Sequence, residues 1–293
     1  MALFYRKLPR FQYVLPKTLD EALSVLRERR GEAKLLAGGT DLIPQLKRRE
    51  VRIPACVIDL KGIAELDAIA YNEQSGLKIG PLTTIGAIGR SPIIADHYPA
   101  LIQAALSMAS PQVRNRGTFA GNICSAVPSA DSAPSLLTLE ATLKVKGPNG
   151  ERIVPIDQFF TGPRETALEA DEMLIEILLP KPASRSRSVY LKLSPRRSMD
   201  LAIVGVAAVG RMDNGICKDI KIGLGAVAPT PVRARKAETL LLGQKITPAI
   251  VKEASRIAST ECRPINDHRA SAEYRCDMVY VLTKRALTHT IVQ

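Results

Sequence analysis

The sequence predicts an α+β protein in two parts, and three observations carry that reading. Up to Leu179, short apolar runs alternate with helix-patterned stretches and with two glycine-bearing loops. Pro180-Lys181-Pro182-Ala183-Ser184 then makes the clearest linker in the chain. Beyond it, three consecutive strand-like runs precede three helical stretches, the pattern of a small antiparallel sheet covered by helices on one face. A chain of 293 residues can bury one large core or two smaller ones, so parts spanning 1–180 and 185–293 are each long enough to fold.

In the first part, residues 18–30 read as a helix: Thr18 and Glu21 suit a capping box, Leu19, Ala22, Leu23 and Leu26 share one face, and Gly31 ends it. Residues 33–37 read as a short buried strand that delivers Gly38-Gly39. A short helix over 41–47 is expected next, capped by Thr40 and interrupted by Pro44. Residues 56–60 and 77–79 read as strands, and 97–107 as a helix. Residues 142–146 and 152–156 flank Gly147-Pro148-Asn149-Gly150 as a hairpin, and 173–179 form a last strand. In the second part the strands are 189–193, 202–212 and 216–225, the latter two joined at Asp213-Asn214-Gly215, and the helices are 235–242, 248–260 and 270–289.

The most informative stretch is Leu35-Leu36-Ala37-Gly38-Gly39-Thr40-Asp41-Leu42. Two glycines let backbone approach a ligand closely and aim successive amides at an anion, with a hydroxyl and a carboxylate following. Alone it reads either as a diphosphate cradle or as a tight strand-to-helix turn. It is not the dinucleotide fingerprint, because no G-x-G-x-x-G occurs. A second cluster follows at Gln112-Val113-Arg114-Asn115-Arg116-Gly117-Thr118-Phe119-Ala120-Gly121-Asn122-Ile123, with Pro128, Asp131 and Pro134. By itself Gly121-Asn122 is an ordinary turn. Two separated phosphate-type loops suggest one long ligand, with Thr118 and Asn122 as polar contacts and Asp131 as an acceptor for a ribityl or ribose hydroxyl.

Composition narrows the function classes. Hydrophobic content of 46% and charged content of 24% are ordinary for a globular protein. No run of about 18 apolar residues exists, which argues against a membrane span. The first stretch of chain has basic residues but no apolar core of a signal peptide, so a cytoplasmic location is expected. The net charge of +12 is dispersed over short basic clusters, and with no Trp and 4% aromatics a nucleic-acid module is not expected. A solvated surface or docking to acidic partners is the better reading. Cys56, Cys124, Cys217, Cys262 and Cys276 show no C-x-x-C spacing and read as buried small hydrophobes rather than as a disulfide or metal framework. His97, His268 and His289 are scattered, so none is assigned acid-base work.

Three ordered motifs carry a resemblance that runs nearly end to end. They are Ala37-Gly38-Gly39-Thr40-Asp41-Leu42; Arg114 to Cys124 with Pro128, Asp131 and Pro134; and Tyr190-Leu191-Lys192 with Arg196 and Asp200-Leu201-Ala202. Together they resemble the FAD-binding medium subunit of the molybdenum hydroxylases, the family of carbon monoxide dehydrogenase and xanthine dehydrogenase. The resemblance implies a two-part FAD-binding domain of the PCMH type, like that of vanillyl-alcohol oxidase, over 1–180. A C-terminal domain of the carbon monoxide dehydrogenase flavoprotein type is implied over 185–293. It implies FAD held by Leu35 to Leu42 and by Thr118, Phe119, Ala120, Gly121 and Asn122, with Asp131, Leu174 and Lys192 as further contacts. Read without the resemblance, Lys192 is an exposed strand lysine. The loop of Arg196 and Arg197 is implied to border the flavin and govern access of an electron acceptor.

The family role implies no catalytic residue and no metal on this chain. A molybdenum cofactor on a large subunit oxidises substrate, and electrons cross two [2Fe-2S] clusters of a small subunit to FAD and on to an acceptor, in a dimer of heterotrimers. The FAD is expected to be non-covalent, since no His or Cys lies in the first glycine loop. The cysteine-bearing insertion of 4-hydroxybenzoyl-CoA reductases is not visible. Two other classes stay open at this stage: a self-contained flavin oxidoreductase of the same superfamily, and a non-redox module that binds polyanions.

Overall fold

Three short parallel strands begin the chain. β1 (Gln12–Val14), α1 (Leu19–Glu28), β2 (Ala33–Leu36), α2 (Leu42–Arg48) and β3 (Cys56–Asp59) follow one another, and the sheet order is β1-β3-β2. Parallel neighbours need such crossovers because each strand must restart at the same edge. This computed structural model describes residues 7–196 and 198–292. Thr18 caps α1, its Oγ1 accepting from Glu21 N at 3.2 Å, but the other half of the expected box is displaced: Glu21 accepts from Lys17 N at 2.7 Å. The N-cap of α2 is Asp41 rather than Thr40, without a side-chain cap bond. Pro44 does not interrupt α2, because it falls in the first turn, where backbone N–H groups have no intrahelical partner.

A five-stranded antiparallel sheet is the second layer. β4 (Ile69–Asn72) and β5 (Gly76–Ile79) pair, and after a helical stretch the hairpin of β6 (Thr142–Gly147) and β7 (Gly150–Pro155) joins from the other side. The intervening helices are α3 (Ile85–Arg90), α4 (Pro92–His97), α5 (Pro99–Ser107), α6 (Pro111–Arg114), α7 (Phe119–Cys124) and α8 (Ser132–Thr138). The single helix expected over 97–107 is thus two. Pro99 has no N–H and disfavours helical backbone in the residue before it, so the chain breaks at Tyr98 (φ −136°, ψ 57°). After α9 (Ile156–Phe159) and the small pair β8 (Phe160–Gly162) and β9 (Glu165–Thr166), β10 (Met173–Leu179) fills the middle of the sheet, giving the order β4-β5-β10-β6-β7. Its near-continuous apolar sequence serves two cores: Met173 and Ile175 face the parallel sheet, whereas Leu174 and Ile177 join Tyr98, Phe119 and Phe159.

The second part starts at β11 (Ser186–Leu193) and continues with β12 (Val204–Asp213), β13 (Ile216–Gly225) and β14 (Val232–Arg233). The three expected strands pair antiparallel in order, and the short β14 adds a fourth. α10 (Arg235–Leu241), α11 (Pro248–Thr260) and α12 (Ala272–Leu287) cover one face through Ala237, Leu241, Val251, Ala254, Ala258, Val279 and Ala286. The other face is covered as well. Tyr190, Ala207 and Val209 belong to the core of the first part. Gly223 lets α8 approach so closely that a Cβ there would lie 2.6 Å from Pro134 O. The apolar run Val204-Gly205-Val206-Ala207-Ala208-Val209 is what a strand buried on both faces needs. Among the described residues, no helix is long and apolar enough to cross a membrane.

Candidate functional site

The two glycine loops meet. A Cβ on Gly38 would sit 2.0 Å from Arg116 O and 2.8 Å from Gly117 Cα, so the first loop must be glycine there to lie against the second. Gly39 turns the chain away with φ +73°, a left-handed conformation other side chains adopt only under strain. Gly121 differs: it is helical within α7, and a Cβ there would meet only Thr118 Oγ1 at 3.0 Å. Its smallness leaves cavity wall open; no positive φ is involved.

Where the loops meet they wall a cavity of about 880 Å³, at the large end of ligand clefts. All of Leu35 to Leu42 line it, as do Thr118, Ala120, Gly121, Asn122, Asp131 and Leu174. From the second part Arg196, Met199, Asp200, Leu201 and Arg269 also line it. Arg197 lies outside the described residues. The donors of the second loop are prepared by their neighbours. Thr118 Oγ1 accepts from Gly121 N at 2.9 Å, which leaves its hydroxyl proton to donate. Asn122 Oδ1 accepts from Ser132 at 2.6 Å, which leaves its NH2 as the group it can offer. Asp41 is held across the loops by Ser125, whose hydroxyl donates to Oδ2 at 2.7 Å. Leu174 reaches the cavity where the pairing of β10 with β6 shifts register between Leu174 and Glu176.

Two of the expected contacts are placed differently from the rest. Phe119 is fully buried in the core, so only its backbone can serve the cavity. Lys192 does not line the cavity. Its Nζ donates to Asp131 Oδ2 at 2.8 Å, to Asp200 O at 2.9 Å and to Ser107 O at 3.2 Å, which satisfies all three ammonium protons in a site that is 8% exposed. Its service to the site is therefore through Asp131 and through the backbone of Asp200. Tyr190, one pleat earlier on the same face of β11, donates its hydroxyl to Asp131 Oδ1 at 2.7 Å. Burial pushes the Asp131 carboxyl up from its usual range, opposed by the charge of Lys192 and by both hydrogen bonds. Burial and Asp131 push the Tyr190 phenol well above its usual value, so it stays a donor.

Tyr190 stood in the third motif without a role of its own, and the sequence singled out neither Ser125 nor Lys61. The period-2 spacing of Tyr190 with Lys192 was the available signal for the first. Lys61 donates to Ala37 O at 3.0 Å and pairs with Asp59 at 2.6 Å, tying the end of β3 to the first glycine loop. Nothing in the sequence marks that contact.

Residues 9–182 match the family described as the FAD binding domain in molybdopterin dehydrogenase, and residues 189–290 match the CO dehydrogenase flavoprotein C-terminal domain. The chain belongs to this flavoprotein family. The carbon monoxide dehydrogenase medium chain of Hydrogenophaga pseudoflava is 39% identical over 279 residues, covering 95% of this chain and 96% of the relative. The putative xanthine dehydrogenase FAD-binding subunit of Escherichia coli K12 is 36% identical, covering 94% of each chain. A structure of the Hydrogenophaga pseudoflava enzyme superposes with a TM-score of 0.93 at 39% identity, over 97% of this chain and 98% of that one. Quinoline 2-oxidoreductase from Pseudomonas putida 86 gives a TM-score of 0.91 at 30% identity, over 98% of each. The cavity of this flavoprotein fits its family's cofactor: two backbone-rich loops suited to a diphosphate and the carboxylate of Asp131 line the same space of about 880 Å³.

Proposed function

We propose that this flavoprotein subunit holds FAD non-covalently in the cavity between its two glycine loops and relays electrons within a molybdenum-dependent dehydrogenase complex. The observation that carries the proposal is the meeting of Gly38-Gly39 with Arg116-Gly117 at the wall of an about 880 Å³ cavity. Backbone and hydroxyl groups of Leu35 to Leu42 and of Thr118 to Asn122 take the diphosphate. Asp131 faces the sugar-like chain or the ring, fixed by Tyr190 and Lys192. When bound, FAD supplies the one- and two-electron chemistry of the relay.

The chain's own groups position and insulate rather than move protons. Among the titratable wall residues, Asp41 is bound by Ser125, Glu172 by Arg152, Asp200 by Arg196 and Asp131 by Lys192. Desolvation pushes the Cys124 thiol up to about 12, away from the thiolate a covalent flavin link would need. Arg196 and Met199, with 63% of Met199 exposed, stand at the mouth and border the route of an acceptor. The 180–185 connection is the boundary between the two domains, with β10 closing one sheet and β11 opening the next.

The relatives' names, an FAD-binding subunit and a medium chain of dehydrogenases, support assembly with other subunits; in our reading these are a large molybdenum-cofactor subunit and a small subunit with two [2Fe-2S] clusters, in a dimer of heterotrimers. Two measurements on the purified chain test the proposal. Denaturation should release FAD into the supernatant, and the FAD-loaded chain alone should not oxidise purines, aldehydes, N-heteroaromatics or carbon monoxide. Flavin that stays with the unfolded polypeptide, or turnover by the lone chain, refutes it.

A further inference from the structure

Cys262 and Cys276 are fourteen residues apart, and the fold brings their sulfurs to 3.2 Å. Cys262 lies just past the end of α11, and Cys276 lies in the second turn of α12. The chain between them is already tied down. Asp267 accepts from the backbone N–H groups of Arg269 and Ala270 at 2.9 and 3.1 Å and from the Arg275 guanidinium at 2.9 Å. Arg275, itself buried, also donates to Ile203 O and Ala226 O. Two thiols are thus held in contact by a framework that does not depend on a bond between them. A disulfide needs the sulfurs at about 2.0 Å, a closure of roughly an ångström that side-chain torsions can supply.

We propose that Cys262 and Cys276 form a redox modification site at which a hydroperoxide converts the two thiols into an intramolecular disulfide. Cys276 is the more exposed of the two and meets the oxidant. Its sulfur attacks one peroxide oxygen and the O–O bond breaks; with hydrogen peroxide the products are a sulfenic acid and water. The Cys262 sulfur then attacks the sulfenic sulfur, the S–S bond forms, the S–O bond breaks, and a second water leaves with the thiol proton. Two thiols are oxidised by two electrons and one hydrogen peroxide is reduced to two waters. Burial and the neighbouring Cys276 push the Cys262 thiol up to about 12, which disfavours it as the thiol that attacks the peroxide first.

The site stands apart from the flavin reading and is tested without activity. The full-length chain is treated with hydrogen peroxide, unfolded, alkylated and digested for mass analysis. The expected result is loss of two of the five thiols, a chain two hydrogens lighter, one linked peptide pair joining Cys262 to Cys276, and return of both thiols with dithiothreitol. Cys262→Ser should stop at a Cys276 sulfenic acid that dimedone traps. Cys276→Ser, at the less buried position, should keep its remaining thiols at the same dose. Retention of all five thiols by the wild-type chain, a link to any other cysteine, or a sulfinic acid at Cys276 without the link overturns the proposal.

Discussion

Replacing Gly38 by Ala isolates the contact between the two glycine loops. The added Cβ would lie 2.0 Å from Arg116 O and 2.7 Å from Arg116 C, both backbone atoms, where ordinary contact begins near 3.4 Å. The loops must therefore part by about 1 Å or more, and forced overpacking of this kind costs about 1–3 kcal/mol. Because the displaced strand of chain runs directly into Thr118, a mid-range cost of about 2 kcal/mol felt in the complex weakens FAD by roughly 30-fold. Gly39→Ala is the control. It faces a left-handed φ of +73°, but its close neighbours are the Leu36 and Ile43 side chains at 2.9 and 3.2 Å, which can turn aside. Titrating apoprotein with FAD by flavin fluorescence should rank the wild type tightest, Gly39→Ala next and Gly38→Ala weakest. A Gly38→Ala chain that binds FAD like the wild type, or better than Gly39→Ala, refutes the meeting of the loops as the basis of the cradle.

Other expectations follow from single contacts. Tyr190→Phe removes one donor from buried Asp131 and should cost about 1–2 kcal/mol in denaturant unfolding, whereas Lys192→Met leaves that carboxylate uncompensated and should cost about 3–5 kcal/mol; equal effects would contradict the account of the pair. Lys61→Met takes the donor from Ala37 O and the ion-pair partner from buried Asp59, so it should weaken FAD several-fold and lower Tm, while Lys61→Arg restores most of both. Burial alone would raise the Asp267 carboxyl, but the N–H groups of Arg269 and Ala270 and the Arg275 guanidinium outweigh it and hold the group at about 2, against an ordinary 3.8. A carboxylate depressed on folding adds stability above its unfolded value that is lost as pH falls through its folded one, so the wild type should lose up to about 2 kcal/mol between pH 4 and about 2. Asp267→Asn should flatten that segment of the profile.

Local chemistry made much of the second part legible. Asp213-Asn214-Gly215 marks the β12–β13 turn, and the helix expected over 248–260 is α11 to the residue. Polar partners could not be read in the same way, because they depend on distant segments. A lone strand lysine looks solvent-exposed until β11 is laid against α5 and α8, where Ser107, Asp131 and Asp200 surround it. The coverage of both faces of the second sheet was hidden for a related reason: a helix only seven residues long, α8, carries the contact, and so short an element has no periodicity to read. Pro44 and Pro99 act differently on their helices. Proline at position three tolerates a helix at Pro44, whereas the backbone restriction on the residue before Pro99 ends one.

The central claim is that this chain passes electrons through a bound flavin that its partners reduce. The most direct measurement mixes the FAD-loaded chain, without oxygen, with its chemically reduced iron–sulfur partner and follows the absorbance of oxidised flavin. The account predicts that the flavin band bleaches as the clusters reoxidise, and that the Gly38→Ala chain, carrying less FAD, bleaches in proportion to its flavin content. A flavin band that persists while the clusters stay reduced would contradict it.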